Sequence, residues 1–318
     1  RSGFARESLL SLIGRSETLD KPRIYLMQPF DPNRRVIVML HGLASSPEAW
    51  VNVANEVLGD ENLRQNYQIW QVYYPTNLPL PFNNKEIREA VNATLTNFDP
   101  QGNRRASRDM VLIGHSMGGV LARLMVSDSG DQLWESVLER FSVSRQREEK
   151  LRAKIEPYVI FDAMPQATRA IFIAAPHRGT PYAENRFARF VSGLIRLPAT
   201  VLSRVTEIGQ LLVNPDSASN EPLVGAFNSI KNLSDQDPFV QESAKLPISG
   251  MVKYHSIMGN DTPKLQLDES SDGVVPYWSS HLDKAASEIF VPHGHRCTEK
   301  PETVAEVLRI LHLHAGLN

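Results

Sequence analysis

Residues 109–123, Asp-Met-Val-Leu-Ile-Gly-His-Ser-Met-Gly-Gly-Val-Leu-Ala-Arg, constrain this chain more than any other stretch. The first half is an apolar run between polar residues, the pattern of a buried strand. The second half leads into helical spacing, with Val120, Leu121, Leu124 and Met125 on neighbouring turns. Between them lies Gly114-His115-Ser116-Met117-Gly118. A strand that turns at once into a helix strains its central residue. It also brings the chain so close to itself that the positions two before and two after must be small. Gly114 and Gly118 meet that demand. Such a turn lifts the Ser116 hydroxyl clear of the sheet. It sets the Met117 N–H at a helix N-terminus, facing any negative charge that develops on a bound carbonyl oxygen. The rival reading is an ordinary glycine-rich turn around a buried serine.

The flanking sequence predicts an α/β protein. Residues 36–40 (Val-Ile-Val-Met-Leu) form a continuous apolar run, as expected for a strand covered on both faces. It ends in His41-Gly42-Leu43, where glycine lets the backbone approach a ligand. A helix is expected next, with Ser46 as cap and Pro47 at its first position. Residues 67–74 predict another strand, 84–98 a helix, and Pro75, Pro79 and Pro81 an irregular loop between them. Residues 169–175, 254–260 and 287–292 predict later strands, and a final helix begins near Pro301. The alternation argues for a doubly wound, mostly parallel sheet with helices on both faces.

Two stretches break this rhythm and are expected to be helical inserts: about 128–167 and about 182–250. The charge run 145–150 in the first reads as a solvated helix face. The second carries amphipathic repeats around Phe187–Ile195 and Val201–Ile208, which either cover the core or cap an apolar pocket. Residues 1–20 are expected to be an N-terminal arm, with residues 21–318 as the main domain. A start at Arg1 suggests a processed or trimmed chain.

A formal net charge of −2 argues against a general nucleic-acid binder. The single cysteine, Cys297, excludes an internal disulfide and reads as a plain loop or core thiol. No apolar run is long enough to span a membrane. No metal motif is present, and no cofactor is expected. Loop aspartates alone cannot show a structural calcium.

A serine hydroxyl near neutral pH needs a base within reach, and the base needs an orienting acid. Ser116, Asp272 and His295 occur in the order Ser, Asp, His, each after a different predicted strand. His293 is the rival base; Gly294 before His295 favours the latter. Asp261 and Asp268 are rival acids; the Ser-Asp-Gly turn before an apolar run favours Asp272. His255 reads as structural, His41 and His115 as loop-holding, and His281, His312 and His314 as surface residues.

Four pieces then carry a resemblance: Val-Met-Leu-His-Gly-Leu (38–43), Gly-His-Ser-Met-Gly-Gly (114–119), Ser-Asp-Gly-Val-Val-Pro (271–276) and Gly-His (294–295). Together they resemble an α/β-hydrolase of the bacterial lipase and carboxylesterase kind. The resemblance implies an α/β-hydrolase fold with a helical cap or lid inserted around the strand-6 region. It implies Ser116 as nucleophile, His295 as base and then acid, and Asp272 as orienter. The backbone N–H groups of Leu43 and Met117 would form the oxyanion hole. The implied activity is ester hydrolysis through an acyl-enzyme on Ser116. A phospholipase or acyltransferase would use the same triad, and an inactive interaction module is the non-enzyme alternative. The implied partner is a small-molecule ester or lipid, with peripheral contact to a lipid interface. Together with the start at Arg1, the resemblance favours an exported or cell-envelope bacterial enzyme. The run Pro176–Pro181 is similar to a loop of several lipase-like hydrolases and is expected to be structural or pocket-lining.

Overall fold

The structure, a computed structural model, describes residues 21–141, 143, 145–181, 203, 207, 233–262 and 264–317. The expected arm over 1–20 and most of the expected insert over 182–250 lie outside these residues.

The chain runs β1 (Arg23–Leu26), β2 (Arg35–Leu40), α1 (Val51–Gly59), α2 (Glu61–Asn66), β3 (Tyr67–Tyr73), α3 (Leu80–Phe98), β4 (Met110–His115) and α4 (Met117–Met125). Then come α5 (Gln132–Phe141), α6 (Arg145–Val159), β5 (Ala167–Ile173), α7 (Pro238–Ser243), β6 (Lys253–Gly259), α8 (Tyr277–Ser280), β7 (Ser287–Val291) and α9 (Pro301–Ala315). The strands form one seven-stranded sheet in the order β1-β3-β2-β4-β5-β6-β7. β1 pairs antiparallel with β3, and every other pairing is parallel.

The continuous apolar runs follow from burial on both faces. Val36, Val38 and Leu40 of β2 join Trp70, Val72, Leu112 and Phe172 in one core, closed by Ile87 and Val91 of α3 and Leu121 of α4. Ile37 and Met39 point the other way, with Ile69, Ile113, Ile171 and Ile173, under α1 and α9. Two-residue alternation along Val36–Leu40 of β2 and Met110–Ile113 of β4 thus feeds two cores, and both sets of positions there are apolar. A third cluster sits beside the first. There Trp134 of α5 and Leu151 and Ile155 of α6 pack with Phe82 and Leu124.

The winding fixes where a site can lie. From β2 the chain moves to one side, to β3, then returns across β2 to β4 on the other. The loops after β2 and β4 therefore leave in opposite directions and open a crevice at the strand ends, the usual ligand position in such sheets.

Three local expectations need correction. Ser46 stands before the first turn, but its side chain makes no capping bond, and residues 47–50 form a 3₁₀ turn ahead of α1. α3 starts at Leu80, not Asn84, because Pro81 falls in the first turn, where a missing N–H costs nothing. His312 and His314 are not free surface residues. His312 Nε2 is 2.8 Å from Asp60 Oδ2. The His314 side chain is buried, with Nε2 2.8 Å from Asp109 Oδ1 and Nδ1 2.8 Å from the Tyr67 hydroxyl. It fastens α9 to the lower edge of the sheet.

Candidate active site

Ser116 lies between β4 and α4 with φ 54° and ψ −123°, a left-handed conformation that an L-residue adopts only under constraint. The constraint is close packing. A Cβ on Gly114 would sit 2.2 Å from the Gly118 carbonyl oxygen, and a Cβ on Gly118 2.2 Å from that of Leu40. Glycine at both positions lets β4, α4 and the end of β2 meet with Ser116 at the crest.

His295 sits on the loop between β7 and α9. Its Nε2 is 2.9 Å from Ser116 Oγ, and its Nδ1 is 2.8 Å from Asp272 Oδ2. Asp272 lies on the long loop after β6 and is buried. Its other oxygen, Oδ1, accepts N–H bonds from Val274 at 2.8 Å and Val275 at 2.6 Å. A carboxylate held by two backbone amides keeps its second oxygen aimed at the imidazole. With Nδ1–H donating to Asp272, the Nε2 lone pair faces the serine hydroxyl.

The rivals make other contacts, although Asp261 lies beside the loop of His295, where a Cβ on Gly294 would be 3.8 Å from its Oδ2. His293 Nε2 is 3.6 Å from Glu302, at the start of α9. Asp261 gives its backbone N–H to the Ser271 carbonyl, and Asp268 sits in an exposed turn.

The proposed oxyanion amides are also placed. Met117 is the first residue of α4, so its N–H has no acceptor one turn back. Among the described residues, neither the Leu43 nor the Met117 amide donates a hydrogen bond. The loop carrying Leu43 is held at Ala44 (φ 54°), whose N–H meets Thr76 Oγ1 at 3.3 Å. Below it, Tyr74 donates its hydroxyl to the His41 carbonyl and stacks on the His41 ring at 4.4 Å. Thr76 and Tyr74 carry no sequence mark of this duty, since their partners are distant in the chain.

A pocket of about 530 Å³ opens over Ser116 and His295. Gly42, Leu43, Ala44, His115 and Val274 give part of its wall, and the exposed Arg296 and Glu299 another part. The Pro176–Pro181 run does not line this pocket. It braces the acid loop instead. Thr180 Oγ1 donates to the Val274 carbonyl at 2.5 Å, and Arg178 Nη1 reaches the Trp278 and His281 carbonyls at 2.7 and 2.6 Å. Gly179, at φ +75°, lies so close to Asp235 that a Cβ would sit 2.5 Å from its nitrogen.

Several histidines are held neutral by burial. His41 is completely enclosed, and desolvation lowers its pKa to about 4. Its Nδ1–H donates to the Gly42 carbonyl at 3.0 Å. His255 is also lowered to about 4, chiefly by burial and then by Arg169. It accepts from Arg169 at 2.8 Å and donates to Ser287 at 2.7 Å, as a structural residue would. Burial pushes the Cys297 thiol up to about 12, which leaves it inert.

These shifts carry a sign. Between pH 6.5 and about 4 an unfolded chain protonates His41 while the folded protein does not. The unfolded state then binds more protons, so stability rises with pH across this window. For the fully buried His41 the contribution is on the order of 3 kcal/mol, lost as pH falls from 6.5 to 4. Urea midpoints are expected to be clearly lower at pH 4.5 than at pH 7, and nearly equal at pH 7 and 8.

Among the described residues, no group of three or more His, Cys, Asp or Glu is arranged to hold a metal ion. No helix among them is long and apolar enough to cross a membrane.

Residues 37–307 match the model of the alpha/beta hydrolase family. The chain belongs to the alpha/beta hydrolase family. Among curated proteins, none matches it. Solved alpha/beta hydrolases share its architecture at low identity. Lipase 1 from Pelosinus fermentans superimposes with a TM-score of 0.55 at 13% identity, over 90% of this chain and 100% of that one. Mature lipase BlEst2 from Bacillus licheniformis gives 0.51 at 16% identity, over 91% and 98%. At such identities the likeness is one of fold.

Proposed function

We propose that this alpha/beta hydrolase is a serine carboxylic-ester hydrolase. The observation that carries the reading is the His295 imidazole, 2.9 Å from Ser116 Oγ on one side and 2.8 Å from Asp272 on the other. The Ser116 hydroxyl attacks the ester carbonyl while His295 Nε2 takes its proton. The resulting oxyanion faces the Leu43 and Met117 amides. Collapse expels the alcohol, protonated by His295, and leaves an acyl group on Ser116. Water activated by the same imidazole then releases the acid. Asp272 orients the ring and balances the imidazolium charge in both halves. Two solved structures with this fold are lipases, and an ester substrate is in keeping with them.

p-Nitrophenyl esters of graded acyl length test this directly. Short and medium chains are expected to turn over. A p-nitrophenyl phosphonate is expected to release one equivalent of nitrophenolate and to leave its mass on the peptide bearing Ser116. Labelling elsewhere, or none, would refute the assignment. A phospholipase or an acyltransferase would share these outcomes. Release of fatty acid from phosphatidylcholine vesicles marks the first, and acyl transfer to an added alcohol in preference to water marks the second.

A further inference from the structure

His115 is a residue that the scheme above does not use. It is the last residue of β4 and the neighbour of the nucleophile. Its Nε2 lies 2.9 Å from the carbonyl oxygen of His295, and the two rings are 5.1 Å apart. A carbonyl only accepts, so the proton sits on Nε2 and the ring donates. On its other edge Nδ1 packs on the loop after β2, where a Cβ on Gly42 would lie 3.1 Å away. The same imidazole therefore wedges between the loop of the proposed oxyanion hole and the main chain of the proposed base.

The backbone of His295 is gripped from both directions. Its N–H donates to the Asp272 carbonyl at 2.9 Å, and its carbonyl receives the His115 proton. The first bond sets the base relative to the acid. The second sets it relative to the strand that carries the nucleophile. We propose that His115 is a positioning residue for the ester-hydrolase reaction: its Nε2–H fixes the main chain of His295 so that the imidazole meets the Ser116 hydroxyl. Burial keeps His115 neutral down to about pH 4, so no second cation opposes the imidazolium formed on His295.

This inference rests on the serine-hydrolase reading, and two substitutions separate it from a plain packing role. In His115→Gln the amide nitrogen stands as far along the side chain as Nε2 and can still donate. In His115→Asn it stops at the position of Nδ1 and cannot reach. Both variants are polar, and both can be counted by phosphonate titration, so that kcat is expressed per working site. His115→Asn is expected to lose about 10- to 100-fold in kcat with KM within about twofold, the pattern of a misaligned base. His115→Gln is expected to stay within about threefold of wild type. Equal losses in both variants, or wild-type kcat in His115→Asn, would overturn the proposal. Failure of the underlying reading shows itself separately, as wild-type turnover in Ser116→Ala, and would remove this inference with it.

Discussion

Ser116→Ala is expected to lower kcat for p-nitrophenyl esters by about 10⁵- to 10⁶-fold, with little change in thermal stability. The residue forms part of the pocket floor, is nearly enclosed and contributes only a hydroxyl, so alanine fits the site without a void. The φ of 54° disfavours a methyl side chain no more than a hydroxymethyl, so the turn should persist. What disappears is the atom that forms the acyl-enzyme. Residual turnover would come from the two backbone amides and from binding, which remain. The triad acts as a unit, so Ser116→Ala/His295→Ala should be only slightly worse than Ser116→Ala alone. Steady-state rates on wild type and the two variants, with folded fractions from circular dichroism, check both statements. A rate in Ser116→Ala within tenfold of wild type would displace the nucleophile.

The second large effect concerns Asp272→Asn. Oδ1 of this residue is held by the Val274 and Val275 amides, which donate and can only be met by an acceptor. Asparagine would keep its carbonyl oxygen there and turn its NH₂ towards His295 Nδ1. Two donors cannot share that contact, so Nδ1 would give up its proton and Nε2 would carry it instead. The lone pair facing Ser116 is then lost while every heavy atom stays in place. A kcat loss of about 10⁴-fold is expected, with KM and the melting temperature nearly unchanged. If kcat and stability instead fall together, the acid has a mainly structural role. If kcat stays near wild type, Asp272 is not the orienting acid.

Much of this arrangement was legible in the chain because it rests on local chemistry. The strands β2, β4 and β5 announce themselves as unbroken apolar runs, since each face of the sheet has its own core. Ser116 is flagged by the glycines that its strained turn requires. Gly259 marks a second close approach, with a virtual Cβ 2.6 Å from the His293 carbonyl and 2.8 Å from Asp272. Its meaning is visible only in three dimensions. Thr76 and Tyr74 carry no mark in the sequence because each acts on a backbone carbonyl or amide far away in the chain, and main-chain groups have no residue-type signature. His314 departs from the surface position expected of it for a related reason. A histidine near the end of an amphipathic helix looks solvent-facing until Tyr67 and Thr168, 247 and 146 positions away, fold beneath it. The start of α3 was misplaced because Pro81 marks a break in most contexts and an opening turn here.

The lower edge of the sheet has its own polar lattice. Arg35 and His314 meet on Asp109, and Arg169 leans on His255. All of these sit at or near strand beginnings or on α9, whereas the reacting groups follow strand ends. In a random-mutation screen the molecule should therefore sort its damage by altitude. Lesions at the base would appear as reduced abundance with normal turnover per molecule, and those at the summit as full abundance with none. Directed evolution for heat tolerance could work on the base while leaving reactivity alone.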